Sequence, residues 1–134
     1  MVRSVISQSV LLPASAEALF NMYLNADEHG AITGAPVRID RALGSDFSAF
    51  EGMLSGTILA LVSPCLIIQS WRSAKFNPTD PDSTLILNFN PEADGGRIDL
   101  VHLDVPDHDY DDVNEGWTQF YWTPWRAYLA RKSK

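Results

Sequence analysis

Three histidines, one cysteine and a run of aspartates are the side chains of this 134-residue chain best suited to moving protons, attacking carbonyls or binding metal. His102 lies in the alternating stretch Arg97–Asp104 and is the one histidine on an expected strand. An imidazole titrates near neutral pH, so it can act as a general base, and a neighbouring carboxylate would raise its pKa. Spacing places no nucleophile beside it, offers no glycine-rich turn for an oxyanion and supports no Ser-His-Asp arrangement. A core histidine hydrogen-bonded to a neighbour is the simpler reading, and no catalytic residue is assigned. The segment Asp104–Gly116, DVPDHDYDDVNEG, adds five aspartates, Glu115 and His108. His102, Asp104 and His108 could be drawn together around a divalent metal, but their spacing fits no metal motif and the Asp-x-Asp-x-Asp-Gly calcium loop is absent. Asp111 or Asp112 as the N-cap of a following helix, with further acidic charge near its N-terminus, explains the cluster without a metal. No metal and no cofactor is therefore expected. Asp27, Glu28 and His29 form a second polar group, read as caps and turn-formers. Cys65 is alone, which excludes an internal disulfide or a multi-cysteine metal site. Within the apolar run CLII it reads as a buried small hydrophobe rather than a nucleophile.

These side chains need elements to position them. The chain is of a size for one domain with its own core, residues 1–134. Ten basic against seventeen acidic residues give a net charge of −7, which argues against nucleic acid or an anionic membrane as partner. Only the tail, Arg126 to Lys134, is locally basic, and it follows a helix whose C-terminus favours such charge. No stretch approaches the ~20 apolar residues of a membrane span. The N-terminus alternates like a strand and carries no convincing cleavage site, so the expected compartment is the cytoplasm.

Val2–Leu12 alternates and stops at Pro13, as a strand does. Ser15 is a plausible N-cap for a short helix over AEALFNMYLNA, and a second helix around Asp27–Ile32 should end at Gly34. Six short strands follow at Val37–Ala42, Asp46–Phe50, Leu54–Val62, Cys65–Ser73, Thr84–Asn90 and Arg97–Asp104, mostly joined by tight turns. That is the pattern of an antiparallel meander. Ala74–Asp82, with two prolines, reads as an exposed loop.

The last stretch, Gly116–Leu129, spaces Trp117, Phe120, Tyr121, Pro124, Trp125, Tyr128 and Leu129 by threes and fours, the period of a helix with one broad apolar face. It is the one element long enough to cover the sheet, which should curl around it. Pro124 removes a backbone donor and crowds the carbonyl of Phe120, so a kink is expected there. Alternation puts Ile67, Gln69 and Trp71 on one face of a strand, Leu85, Leu87 and Phe89 on one face of the next, and Ile98, Leu100 and His102 on one face of the last. If these faces meet Trp117, Tyr121 and Trp125, they outline an aromatic pocket with a few polar atoms, the usual form of a small-molecule site. The alternative is a solid core. The residues assigned to ligand binding are thus Trp71, Gln69, Leu87, Leu100, His102, Trp117, Tyr121 and Trp125.

HGAITGAP at 29–36, GSDFSAFEGMLSG at 44–56, IIQSWRS at 67–73, DSTLILNF at 82–89, VHLDVPD at 101–107 and GWTQFYW at 116–122 occur in that order. Together they resemble the family named for activators of the heat-shock protein 90 ATPase, in the START-like (SRPBCC) superfamily. The resemblance runs from about Leu12 to Leu129. It implies an α+β helix-grip fold: a curved antiparallel sheet of about seven strands around a long C-terminal helix, with a cavity between them. It also implies an inward Trp71 and an outward Arg72 paired with a carboxylate on a neighbouring strand. Eukaryotic members that stimulate the chaperone carry a separate N-terminal domain, and this chain resembles only the C-terminal one. The expected function is non-catalytic binding of a hydrophobic or amphipathic small molecule. A cochaperone-like module of the stress response, docking through the acidic 104–115 segment, is the alternative, and cyclase or hydrolase chemistry is third. A monomer or homodimer is expected, with the edge near Val37–Ala42 as a pairing surface.

Overall fold

The computed structural model describes residues 3–132. Val2 and the last two residues of the basic tail lie outside that range. Strand β1 (Arg3–Leu12) leads through Pro13 into helix α1 (Ala16–Leu24), whose N-cap Ser15 accepts a hydrogen bond from the Ala18 amide. Asn25 ends α1 and also caps α2 (Ala26–Thr33), which stops at Gly34 in the left-handed conformation. Strands β2 (Val37–Arg38), β3 (Asp46–Ala49), β4 (Leu54–Val62), β5 (Leu66–Ser73), β6 (Ser83–Glu92) and β7 (Gly95–Pro106) follow. They form one antiparallel sheet in the order β1-β7-β6-β5-β4-β3-β2. It is a meander from β2 to β7, closed on the far side by β1.

Alternation decides which face is covered. In β5, β6 and β7 every second residue is buried, among them Ile67, Gln69, Trp71, Leu85, Leu87, Phe89, Ile98, Leu100 and His102. Irregular registers between Ser4 and Ile6 in β1 and between Ile58 and Ala60 in β4 help bend the sheet, as bulges do. Gly56 of β4 is held to glycine by this packing: a Cβ there would lie 1.9 Å from the Ser70 carbonyl oxygen.

The covering helix is continuous but not uniform. A 3-10 turn (Asp107–Asp109) runs into α3 (Tyr110–Trp117), then a π turn (Thr118–Trp122), then α4 (Thr123–Lys132). The disturbance expected at Pro124 takes the form of that π turn. Proline supplies no amide for Phe120, and the Thr123 N–H bonds the Thr118 carbonyl five residues back. The widened turn brings Trp122 inward beside Trp117, Tyr121, Trp125 and Leu129, while Phe120 is left 47% exposed. The indole N–H of Trp122 bonds Gln8 Oε1 at 2.7 Å, and the Gln8 amide reaches Asn114, so β1 clasps the helix.

Several local expectations change. The strand expected at Val37–Ala42 is two residues long, Val37–Arg38; the chain leaves the sheet there and bends at Arg41 and Ala42, with the Asp40 carboxylate accepting from the Arg41 amide. The 74–82 segment is not simply exposed. Phe76 and Asp80 are buried, Phe76 against Trp71, and Arg72 ties the segment down through the carbonyls of Asn77 and Asp80 and the Asp82 carboxylate. Cys65 is exposed, because it closes the β4–β5 turn instead of entering the strand. The N-cap of α3 is Asp109, with no side-chain capping bond, since the preceding 3-10 turn already continues the helical path. Asp111 and Asp112 occupy the first turn, where their charge suits the helix dipole.

Candidate functional site

A cavity of about 310 Å³ opens where the terminal helix begins, at one end of the sheet. Three segments build it. The first is the β3–β4 turn with Phe50, Met53 and Leu54; the second is the end of β5 and its extension, with Trp71, Ser73 and Lys75. The third is the helical face from Asp109 to Tyr121, including Asp112, Val113, Gly116, Trp117 and Phe120. Phe50 and Glu51 both have positive φ (52° and 56°), a conformation that costs a non-glycine residue energy and is commonest at functional sites. It sets Phe50 edge-to-face on Phe120, 5.6 Å between ring centroids. The floor, Trp71, Trp117 and Tyr121, is buried, while Met53, Phe120, Lys75 and Asp112 are exposed at the rim. Lys75 Nζ and Asp112 Oδ2 meet there at 3.5 Å.

The floor is held from behind by two neutral histidines. Ser83 Oγ donates to the Trp71 carbonyl at 2.7 Å, so the contact of 2.8 Å with His102 must run from Nε2–H to Oγ. His102 Nδ1 then accepts from the Trp117 indole N–H at 3.2 Å. Burial lowers the His102 pKa to about 3. The serine–histidine pair is not a nucleophile and base: the serine proton is committed to a carbonyl, both side chains are fully buried, and an indole stands where a carboxylate would orient the imidazole. His29 makes a second network. Its Nδ1 faces the Tyr23 carbonyl at 2.8 Å and must donate, leaving Nε2 to accept from Tyr121 Oη at 2.9 Å. Burial lowers its pKa to about 4 and pushes those of Tyr121 and Tyr23 up. Tyr23 Oη donates to Gln69 Oε1 at 2.5 Å. Tyr121 therefore offers the cavity its ring, its hydroxyl being engaged with His29.

Of the residues assigned from sequence, Trp71, Trp117 and Tyr121 line the cavity. Gln69, Leu87, Leu100, His102 and Trp125 are all buried in the packed layer between sheet and helix and do not line it. Gln69 and His102 act there as hydrogen-bond partners of residues beneath or beside the floor. The β3–β4 turn, Lys75, Asp109 and Phe120 were not assigned to ligand binding from sequence, because nothing in a local pattern says that a turn folds over a helix start. Positive φ at Phe50 and Glu51 has no one-dimensional signature. His29, read as a turn-former, is a buried support. Among the described residues no group of three or more His, Cys, Asp or Glu side chains comes together as a metal ligand set. His102 faces inward, whereas His108 Nε2 pairs outside with Asp80 Oδ2 at 3.0 Å.

A curved seven-stranded antiparallel sheet gripping a C-terminal helix, with an opening at the helix start, defines an α+β helix-grip protein of the START-like class. Residues 13–130 match the family described as Activator of Hsp90 ATPase homolog 1-like protein, and the chain belongs to it. No curated protein matches the sequence. Among solved structures it is similar to an HSP90 activator from Plasmodium falciparum, at 21% identity and TM-score 0.83 over 94% of this chain and 96% of that one. A protein from Mesorhizobium loti aligns at 18% identity and TM-score 0.81, covering 96% of this chain and 98% of that one. CalU16 from Micromonospora echinospora aligns at 17% identity and TM-score 0.76, covering 98% and 87%. At these identities the likeness establishes the fold. Among the described residues no helix is long and apolar enough to cross a membrane.

Proposed function

We propose that this chain is a non-catalytic binding protein that holds a hydrophobic or amphipathic small molecule between the sheet and the terminal helix. The observation that carries the reading is the cavity of about 310 Å³ with aromatic walls from three segments, at the small end of the usual range for ligand sites. Burying an apolar molecule against such walls is favourable in proportion to the area removed from water. Two of the four tryptophans, Trp71 and Trp117, line the cavity, and Trp122 and Trp125 stack in series behind Trp117. Intrinsic fluorescence titrated with fatty acids, sterols and aromatic metabolites tests the reading. A saturable change that weakens in Phe120→Ala, a rim residue whose loss spares the core, is the expected result. No saturable response to any class would defeat it.

Family membership favours a second reading, a cochaperone-like module that docks on a chaperone of the heat-shock protein 90 type. Exposed Phe120 and Met53 beside the acidic start of the helix would be the contact surface. Immobilised protein should then retain the chaperone from its source lysate and stimulate its ATPase. Absence of both effects would remove this reading.

A further inference from the structure

The sheet ends in two edge strands of opposite character. At one end β2 offers two residues, Val37–Arg38, with the charged Asp40 and Arg41 close behind, so the edge expected to pair between subunits gives a partner strand little to hold. At the other end β1 offers ten residues, with no proline and no charged side chain from Ser4 to Leu12. Such an edge is a template for a further strand. From Ile6 to Leu12 the register of β1 on β7 is unbroken. The Leu12 carbonyl faces β7 so closely that a Cβ on Gly95 would lie 2.3 Å from its oxygen. The Leu11 carbonyl points the other way and accepts from the Arg126 guanidinium at 2.7 Å. Backbone direction alternates along a strand, which turns the N–H and C=O of Ser7 and Ser9 outward with Leu11. Among the described residues these outward groups of Ser7 and Ser9 have no backbone partner, and both residues are exposed. Val5 and Leu11 on either side of them are 55% and 59% exposed.

We infer that β1 pairs antiparallel with β1 of a second copy of this chain, about a two-fold axis at Gln8, joining two sheets into one. An isologous contact requires a surface that complements itself, and this strand does so in three respects. The register centred on Gln8 sets Ser7 opposite the partner's Ser9, and Ser9 opposite the partner's Ser7, each pair exchanging both of its N–H···O=C bonds. It sets Val5 beside the partner's Leu11, so the large exposed apolar side chains of the strand cover one another. It also matches charge. Asp107 lies at the Ser4 end of the strand, where its carboxylate accepts from Ser4 Oγ at 3.4 Å, and Arg126 lies at the Leu11 end. Antiparallel pairing brings each acidic end to the partner's basic end, whereas parallel pairing would set like beside like. Each chain carries a net charge of −7, so two copies repel except through a surface of this kind.

Sedimentation velocity of the full chain over a micromolar concentration series tests this and should show a reversible doubling of the 14.9 kDa mass. Ser7→Pro removes an outward N–H from each copy and spares the ladder to β7, in which that N–H takes no part. The two bonds lost by symmetry should weaken the dimer about tenfold or more. Val5→Lys should weaken it as well, and adding Leu11→Glu to the same chain should restore it. The new charges then face each other across the interface, while within one chain they stand about 20 Å apart. Thermal unfolding reports whether each variant is folded, and the two routes keep the test available should one of them fail. Wild-type protein that stays monomeric throughout the series overturns the inference and leaves the edge for a strand of another protein. A dimer that neither Ser7→Pro nor Val5→Lys weakens overturns it too, placing the contact elsewhere. Weakening without rescue by the double change would overturn the register centred on Gln8.

Discussion

His102 and His29 are both buried and neutral, yet their partners dictate opposite tautomers. His102 carries its proton on Nε2, because Ser83 has already given its own to a carbonyl, and His29 carries it on Nδ1, because a carbonyl can only accept. Long-range nitrogen–proton correlation spectra at neutral pH should show one ring of each kind. Two rings of the same tautomer would contradict these networks. Trp117 illustrates a related point. A residue that only lined a pocket could be cut back to alanine with loss of binding and the fold kept. In the structure Trp117 also supplies the proton that His102 Nδ1 accepts and stacks on Trp122 at 5.8 Å. Truncation leaves a large void and an orphaned imidazole nitrogen, so a loss of about 3–5 kcal/mol is expected in chemical denaturation. A loss under about 1 kcal/mol would mean that the floor repacks freely. Which strand residues face inward was legible from alternation alone; what His102 bonds was not, because its partners Ser83 and Trp117 lie 19 and 15 residues away.

Among the elements, the terminal helix decides the site. Its amphipathic spacing was legible, but the π turn before Pro124 changes which aromatics are inside. Trp122 joins the core and Phe120 moves to the cavity rim, a phase change that a straight-helix reading cannot contain. Gly116 lies one residue before Trp117 on the cavity wall. A Cβ there would meet the Phe120 ring at 3.6 Å, an ordinary contact, and no backbone atom lies within 4 Å of it outside the helix's own turns. Gly116→Ala should therefore stabilise the helix by roughly 0.5–1 kcal/mol, raising the melting temperature by roughly 3 °C. It should also weaken binding of any molecule that fills the cavity. Scanning calorimetry and the fluorescence titration measure the two effects. Destabilisation instead would show that the cavity wall has no room for a methyl group.

At the scale of the molecule, the two buried histidines tie stability to pH. Their pKa values fall from 6.5 to about 4 for His29 and about 3 for His102. Below pH 6.5 the unfolded chain takes up protons that the folded chain refuses, so unfolding gains. Stability is complete above that pH and is lost progressively as the pH falls toward 4 and then 3. Each histidine should contribute a slope that starts at about half of 1.4 kcal/mol per pH unit at pH 6.5 and rises towards that full value near pH 5. Urea denaturation between roughly pH 5 and 6.5, above most carboxylate titrations, isolates their effect, and His102→Gln should remove one slope's worth. Identical slopes in both proteins would mean that His102 is protonated when folded.

Local periodicity determined the class of this protein, since period two in the strands, a longer period at the C-terminus and turn residues between them leave few ways to bury the apolar faces. The caps at Ser15 and Gly34 were equally local. The position of the cavity was decided only by tertiary structure. Over most of the layer between sheet and helix the side chains of Leu87, Leu100 and Trp125 fill the space, and an opening between the end of β5 and the helix survives only at the helix start. There the left-handed turn at Phe50 and Glu51 folds over, and Asp109 and Trp71, 38 positions apart, come to line one small space. Packing density is a property of all neighbours at once, and no stretch of sequence records it.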